Sequence, residues 1–377
     1  MTATTRPEPR SVSEPTLYVA FELSAKVWKL ALTAGLGVEP WVRSVPAGDL
    51  RAVARTVQQA RARFQLAADA PVRSCYEAGR DGFWIHRALA HVGISNRVVD
   101  SASIEVNRRA RRAKTDRLDA LKLARMLTRV GSGEQGVWRE VHVPTVTDEA
   151  ARHVSRERTA LTQEQTRLIN QIRSWLATYG CRLPSRRAAA WWTTLRDWSL
   201  TPLPAPVQAR IARAEARWTV LEDQIRDLDR QQAAATLAAP PESARRRLVQ
   251  LKGVGTTSAS VLLDEGLVWR AFRNRRQVGG LLGFTSTPYQ SGTVARDQGI
   301  SRAGNDRLQA ISIQLAWSWV HWQPTSALTQ WFRQRFSGGG ARLRRIGIVA
   351  VARRLMIALW RCATTGAVPP GAIVKVA

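Results

Sequence analysis

The sequence predicts an α/β domain with a mixed sheet at the N-terminus, then a helical arm, then a mostly α-helical C-terminal domain. Three observations carry that prediction. Short strand-like runs alternate with helical ones from Leu17 to about Val130. Apolar residues then recur every seven positions in two stretches of the middle third. From Ala244 to about Gly366 the pattern is mostly helical, broken by a Gly-rich polar stretch at 279–304.

Taken in order, MTATTRPEPRSVSEP (1–15) lacks the apolar core of a signal peptide and reads as a disordered lead. LYVAFEL (17–23) and VWKLALTA (27–34) are strand-like, with Ser24-Ala25-Lys26 as a tight connection. Asp49 to Phe64 has helical periodicity and an Arg-rich exposed face. VRSCYEA (72–78) is a third strand-like run ending at Gly79. Phe83 to Val92 is an amphipathic helix stopped by Gly93, SNRVVDS (95–101) is a strand, and Ser103 to Val130 is a long basic helix. Gly131-Ser132-Gly133 marks a boundary.

In the middle third, Val154, Leu161, Leu168 and Trp175 form one heptad series, with Ile172 between. Ile211, Trp218 and Ile225 form a second, and Ala214, Leu221 and Leu228 a third. Two helices with such stripes and charged flanks predict an antiparallel or intermolecular coiled coil; ordinary helices on a globular core carry the same stripe. Pro240-Pro241 marks the next boundary. LKGVGTTSASVLL (251–263) reads as a helix-hairpin-helix whose Gly-Val-Gly turn would offer backbone N–H groups to phosphate. A plain helix–helix corner fits the same letters. The expected division is 1–15 lead, 16–135 α/β domain, 148–238 coiled-coil arm, 244–366 C-terminal domain and 367–377 tail.

Charge narrows the partners. Lys and Arg number 57 against 29 acidic residues, a net charge of +28 with a sequence pI near 11.6. Such an excess favours polyanions, because neutralised phosphates release condensed counterions. A high-GC genome accounts for Arg over Lys but not for the shortage of acids. Cys75, Cys181 and Cys362 lie far apart with no CxxC spacing, which argues against a disulfide framework or a zinc site and fits a reducing compartment. No uninterrupted apolar run approaches the ~18 residues that span a bilayer. The expectation is a soluble cytoplasmic, nucleoid-associated protein with no membrane partner. Five histidines without an HExxH or triad-like grouping weaken metalloprotease and Ser-His-Asp readings. The 15 tryptophans fall mostly at helix-core spacing.

In an acid-poor chain the positions of the acids carry weight. Glu22 ends the first strand, Glu77 ends a later one, and Asp116 and Asp119 share a helix face in KTDRLDA. Carboxylates at strand ends and on a neighbouring helix are how RNase H-like nucleases gather hard divalent cations such as Mg²⁺ for in-line displacement at phosphorus. Four surface acids paired with nearby arginines fit the same spacing. Arg108, Arg109, Arg111, Arg112 and Lys114 crowd just ahead of Asp116, as a phosphate-binding patch or a solvated helix face. Downstream, Ser291 precedes Gly292, with Arg296, Arg302 and Asn305 following. A serine hydroxyl can attack a phosphodiester if the developing charge is stabilised, though a loop serine is more often a turn residue.

The order of these motifs, over about residues 16–366, resembles the DEDD-type insertion-sequence transposases of the insertion-sequence one-ten family, described as bridge-RNA-guided recombinases. KTDRLDALKLA (114–124) looks like the family's Lys-Thr-Asp-x-x-Asp-Ala signature, and CYEAG (75–79) like the strand bearing its acid before a small residue and Gly. LKGVGTTSASVLL is similar to the hairpin opening its C-terminal transposase domain. GFTSTPYQSG with ISRAGNDRLQ resembles its Gly-x-x-Pro…Ser-Gly…Ser-Lys-x-Gly-Asn block, with Arg302 in place of Lys. The resemblance implies a RuvC-like, RNase H-like fold in which Glu77, Asp116 and Asp119 hold Mg²⁺. It implies that Ser291 forms a phosphoserine link to DNA, that the coiled coil makes a homo-oligomer (dimer or tetramer), and that an element-encoded guide RNA selects donor and target DNA. One departure stands out: the family's first acid is Asp in Asp-x-x-x-Lys, whereas FELSAK supplies Glu22 with Lys26 retained. A RuvC-like structure-specific nuclease using water, or a catalytically disabled nucleic-acid-binding relic, is the alternative.

Overall fold

The computed structural model describes residues 15–105, 115–291, 294–301 and 304–375. The chain divides into two compact units, 1–143 and 144–377. The lead expected at 1–15 falls, Pro15 apart, outside the described residues.

The first unit runs β1 (Leu17–Glu22), β2 (Val27–Thr33), β3 (Trp41–Pro46), α1 (Leu50–Arg63), β4 (Val72–Glu77), α2 (Trp84–His91), β5 (Ser95–Val99) and α3 (Asp116–Gly131). The sheet order is β3-β2-β1-β4-β5. β2 pairs antiparallel with β1 and β3, while β4 pairs parallel with β1 and β5. A central sheet of this mixed kind, with helices on both faces, is consistent with an RNase H-like domain.

Alternation along β1 explains the layering. Leu17, Val19 and Phe21 point to one face and pack with Ala52, Val53, Val57, Ile85 and Leu89 of α1 and α2. Ala20, with Ala31 and Cys75 beside it, faces the other way and meets Ala120, Leu123, Ala124 and Leu127 of α3. Small strand residues let α3 lie close. At Gly131 an added Cβ would sit 2.5 Å from the Tyr18 ring. After α3 the chain returns to the sheet edge, where Val141 N–H donates to Val98 O at 2.8 Å and Glu140 bridges to Val99. The free edge of β5 is thereby covered.

Two elements differ from expectation. β3 was not foreseen, because an edge strand with Arg43 and Ser44 exposed lacks the apolar alternation of an internal one. The long basic helix expected from Ser103 instead begins at Asp116. Ser101–Ser103 form a single 3-10 turn capped by Asp100, and Ile104 is extended. Thr115 is extended too, and its hydroxyl accepts the Leu118 N–H, a side-chain N-cap. Arg108, Arg109, Arg111, Arg112 and Lys114 lie outside the described residues.

The second unit opens with two long helices, α4 (Val146–Ala177) and α5 (Ala205–Ala238). They share a core in which Leu168, Ile172 and Leu176 meet Ile211, Ala214, Trp218 and Leu221. Arg187 lies over the Trp218 ring at 3.5 Å and bridges Glu215 and Glu222, closing one flank. Then follow α6 (Ala244–Val249), α7 (Thr256–Asp264), α8 (Arg275–Leu281), the β6 (Ser286–Ser291) and β7 (Val294–Ile300) ribbon, α9 (Asp306–Trp322), α10 (Ala327–Phe336) and α11 (Ala341–Thr365). Leu315, Trp319, Val351, Leu355 and Leu359 anchor the core of this helical part.

Between α6 and α7 the Gly253-Val254-Gly255 turn makes a tight corner, with Gly253 at φ +85. The amides of Lys252 and Val254 donate to Ile373 O and Leu251 O, and Ser318 donates to Gly253 O. The C-terminal segment thus packs onto the corner. Among the described residues no helix is long and apolar enough to cross a membrane.

Candidate catalytic site

The four acids singled out in the sequence lie in the first unit, and the sheet orders them. β1 and β4 run parallel with Phe21 opposite Tyr76, so Glu22 and Glu77 end adjacent strands side by side. By alternation both project to the face of Ala20 and Cys75, which is the face α3 covers. α3 runs antiparallel to β1: Gly131 abuts Tyr18, and the Cys75 thiol points at Leu123 O from 3.9 Å. From Cys75, Glu77 lies ~7 Å further along the strand, and from Leu123, Asp119 lies ~6 Å further along the helix in the same direction. Strand-end and helix-start carboxylates therefore lie toward the same end of one sheet face.

Asp119 and Glu22 are half-buried there, and Asp116 and Glu77 are exposed. Both aspartates also occupy the first turn of α3, where the helix dipole favours them. The donor set is all carboxylate oxygen and suits a hard divalent cation. Among the described residues, however, no three His, Cys, Asp or Glu side chains stand close enough to share one ion. The fit is thus one of donor chemistry and shared face. Cys75, buried beneath this end, has its thiol pushed well above the usual range by burial, with opposition from Arg97. It stays a neutral packing group.

Ser291 lies in the second unit, at the last position of β6 and paired with Val294 across the ribbon. It is exposed. Tyr289 pairs with Arg296, whose guanidinium sits 5.0 Å from the Tyr289 ring centre. Alternation puts that pair on the same ribbon face as Ser291, ~7 Å down the strand. A hydroxyl near the ribbon end, with an arginine on its face, is accessible to a polymer. Arg302 lies outside the described residues.

Asn305, expected to touch nucleic acid, is occupied within the protein. Its Oδ1 caps α9 at the amides of Arg307 and Leu308, and its amide donates to Glu265 Oε2 at 3.0 Å. Glu265 and Asp264 were not singled out in the sequence. Glu265 is 1% exposed; Arg156 grips it through two hydrogen bonds of 2.9 and 3.0 Å, and Arg307 Nε stands 3.0 Å away as an ion pair lacking hydrogen-bond geometry. Burial pushes its carboxyl up, but Arg156 and Asn305 outweigh that and hold it below its ordinary value. Asp264 lacks such a grip. Burial pushes it up to about 6 against the Ser155 hydroxyl and Arg245. Arg152 and Arg270 each lie 4.7 Å from the Trp269 ring centre. Burial, and then the charge of Arg152, pulls Arg270 down to about 10. The clue was an Asp-Glu pair ending an apolar run in a chain short of acids.

Comparison with known proteins identifies a family. A family described as "Transposase IS116/IS110/IS902 family" matches residues 245–331, and the DEDD transposase family of IS110 matches residues 49–180. The chain is 40% identical over 375 residues to y4rJ, a candidate transposase of Sinorhizobium fredii, covering 95% of this chain and 94% of the relative. It is 28% identical over 270 residues to a second candidate transposase of that organism, y4qE, covering 71% and 62%. It is also 25% identical over 176 residues to the transposase for insertion sequence element IS1328 of Yersinia enterocolitica, covering 46% and 50%. Family matches in both units and a full-length relative give one answer: this chain belongs to the IS110 family of DNA transposases.

Proposed function

We propose that this transposase excises and inserts its own element by forming a phosphoserine link at Ser291 while Glu22, Glu77, Asp116 and Asp119 hold a divalent ion, Mg²⁺ by donor type, against the DNA. What supports the reading is that strand-end and helix-start carboxylates share the face covered by α3. A bound cation would supply charge stabilisation at the phosphodiester. Ser291 Oγ attacks phosphorus, its proton passing to a base, and the bond to the leaving deoxyribose oxygen breaks as that oxygen takes a proton. The new phosphoester keeps the bond energy, so strands rejoin without a nucleotide cofactor. Arg296, on the same ribbon face, balances charge at the phosphate.

An element-encoded guide RNA for donor and target choice, and a homo-oligomer (dimer or tetramer) held through a coiled-coil seam on α4 and α5, belong to the same proposal. The net charge of +28 supports two polyanions. The test is a nicked suicide DNA that traps covalent product. Ser291→Ala is expected to remove the protein–DNA adduct, and an adduct that persists in that variant removes Ser291 from the chemistry.

A further inference from the structure

A groove of about 940 Å³ opens in the second unit among the root of the β6–β7 ribbon, α8, α10 and α11. Phe284, Ile300, Phe336 and Ile357 line its apolar floor, with half-buried Trp331 beside them. Arg275, Arg276, Arg335, Arg353 and Arg354 line it too, and among the described residues no acidic side chain does. Arg354 already stacks on the Trp331 ring at 3.9 Å. The chain beyond Asp306 is as one-sided: residues 307–377 contain nine arginines, one lysine and no Asp or Glu.

We propose that this groove binds an unpaired stretch of a nucleic-acid strand, with one or more bases on the apolar floor and the phosphates on the five arginines. A duplex hides its bases and would need the arginines alone. An apolar floor with a cationic rim matches a strand whose bases are free to stack. A second copy of this chain would bring +28 of its own toward that rim. The ribbon joins the groove to the proposed nucleophile: Ser286 and Ile300 line the groove while Ser291 ends the same strand, ~17 Å away, the rise of about five stacked nucleotides. The inference rests on the function proposed above only for naming DNA as the strand and for that distance.

The test uses the full chain with Ser291→Ala, so binding is read apart from chemistry. Fluorescence anisotropy compares a short single-stranded DNA of mixed sequence, the same strand made abasic throughout, and a blunt duplex. Trp331→Leu is expected to weaken the single strand about tenfold while leaving the abasic strand and the duplex nearly unchanged. Arg335→Gln with Arg354→Gln should lower the salt dependence of single-strand binding by about 1.4 in log–log slope. Equal single-strand affinity in all variants overturns the proposal. A changed sedimentation coefficient with unchanged DNA affinity overturns it in favour of a second copy in the groove. A readout without substitution guards against misfolding: photocrosslinking of a 5-iodouracil-substituted strand to the otherwise unaltered chain. Adducts at Trp331 or Phe336 support the groove, and adducts confined to other segments overturn it. The position of the crosslinked base relative to the cut bears on Ser291 alone.

Discussion

At Glu265 a single buried carboxylate is held by Arg156, Arg307 and the Asn305 amide, and it ties α4 to the helical part of its own unit. Glu265→Gln would leave those cations facing a neutral amide at a buried position. The expected loss is about 3 to 5 kcal/mol in chemical denaturation, the scale of breaking a buried ion pair from one side. Its neighbour behaves oppositely with pH. Asp264 has a carboxyl pushed up to about 6 from an ordinary 3.8, so the folded chain keeps a proton that the unfolded chain has released. The stability this contributes is complete below an acidity of about pH 4 and is lost as the pH rises through about 6. Asp264→Asn keeps a hydrogen-bonding partner for Ser155 and removes the titration. The stability of the parent relative to that variant should therefore fall, by something on the order of 2 kcal/mol, between about pH 4 and pH 7. A constant difference would place the titration elsewhere. Glu22 ends β1 beside the end of β4, where Glu77 stands on the same face. Glu22→Gln is expected to lower strand cleavage at least about a hundredfold, while Glu22→Asp retains it. Full activity in the glutamine variant would release Glu22 from the site.

At the scale of elements, α3 is the piece that sets the acidic end, because its contact with β1 fixes where Asp116 and Asp119 start. Tyr18 and Gly131 mark the other end of that contact. Gly131→Ala should push the helix from the sheet and cost about 1 to 3 kcal/mol of stability. Adding Tyr18→Ala should recover part of the loss as a positive coupling in a double-mutant cycle. Strict additivity would mean the two sites do not meet. The same helix shows which parts of the sequence can be read. Its apolar spacing from Ala120 to Leu127 was legible because those residues face a sheet. Its start was not, because arginines crowd the segment before Asp116 and helical propensity alone does not stop at Thr115; a single side-chain cap does. β1, β2 and β4 were legible because internal strands are apolar on alternate or both faces, and β5 because its edge is covered and Val98 and Val99 are buried. β3, half-exposed with Arg43 and Ser44, offered no such period. Asn305 shows the limit at a site. A polar residue in a Gly-rich stretch reads as a ligand contact, and only the fold reveals that Glu265, forty positions away, already holds it.

At the scale of the whole molecule the charge excess is distributed against the interest of the fold. Arg342, Arg344 and Arg345 are exposed at the start of α11, a helix with no acidic residue in its first turn or anywhere along it. Cations at a helix N-terminus oppose the dipole, and like charges this close repel. Folding alone gives no reason for three arginines there; a polyanionic partner does. Replacing all three by Gln should leave stability unchanged or raise it by about 0.3 to 1 kcal/mol. The same variant should bind duplex DNA more weakly, with the log–log dependence of affinity on salt flattened by about 2 to 3, close to one counterion for each phosphate contact removed. The two readouts move in opposite directions only if the arginines are held for nucleic acid. A variant that loses stability and keeps its salt dependence would show that these side chains serve the fold, and the large positive charge of α11 would then need another cause.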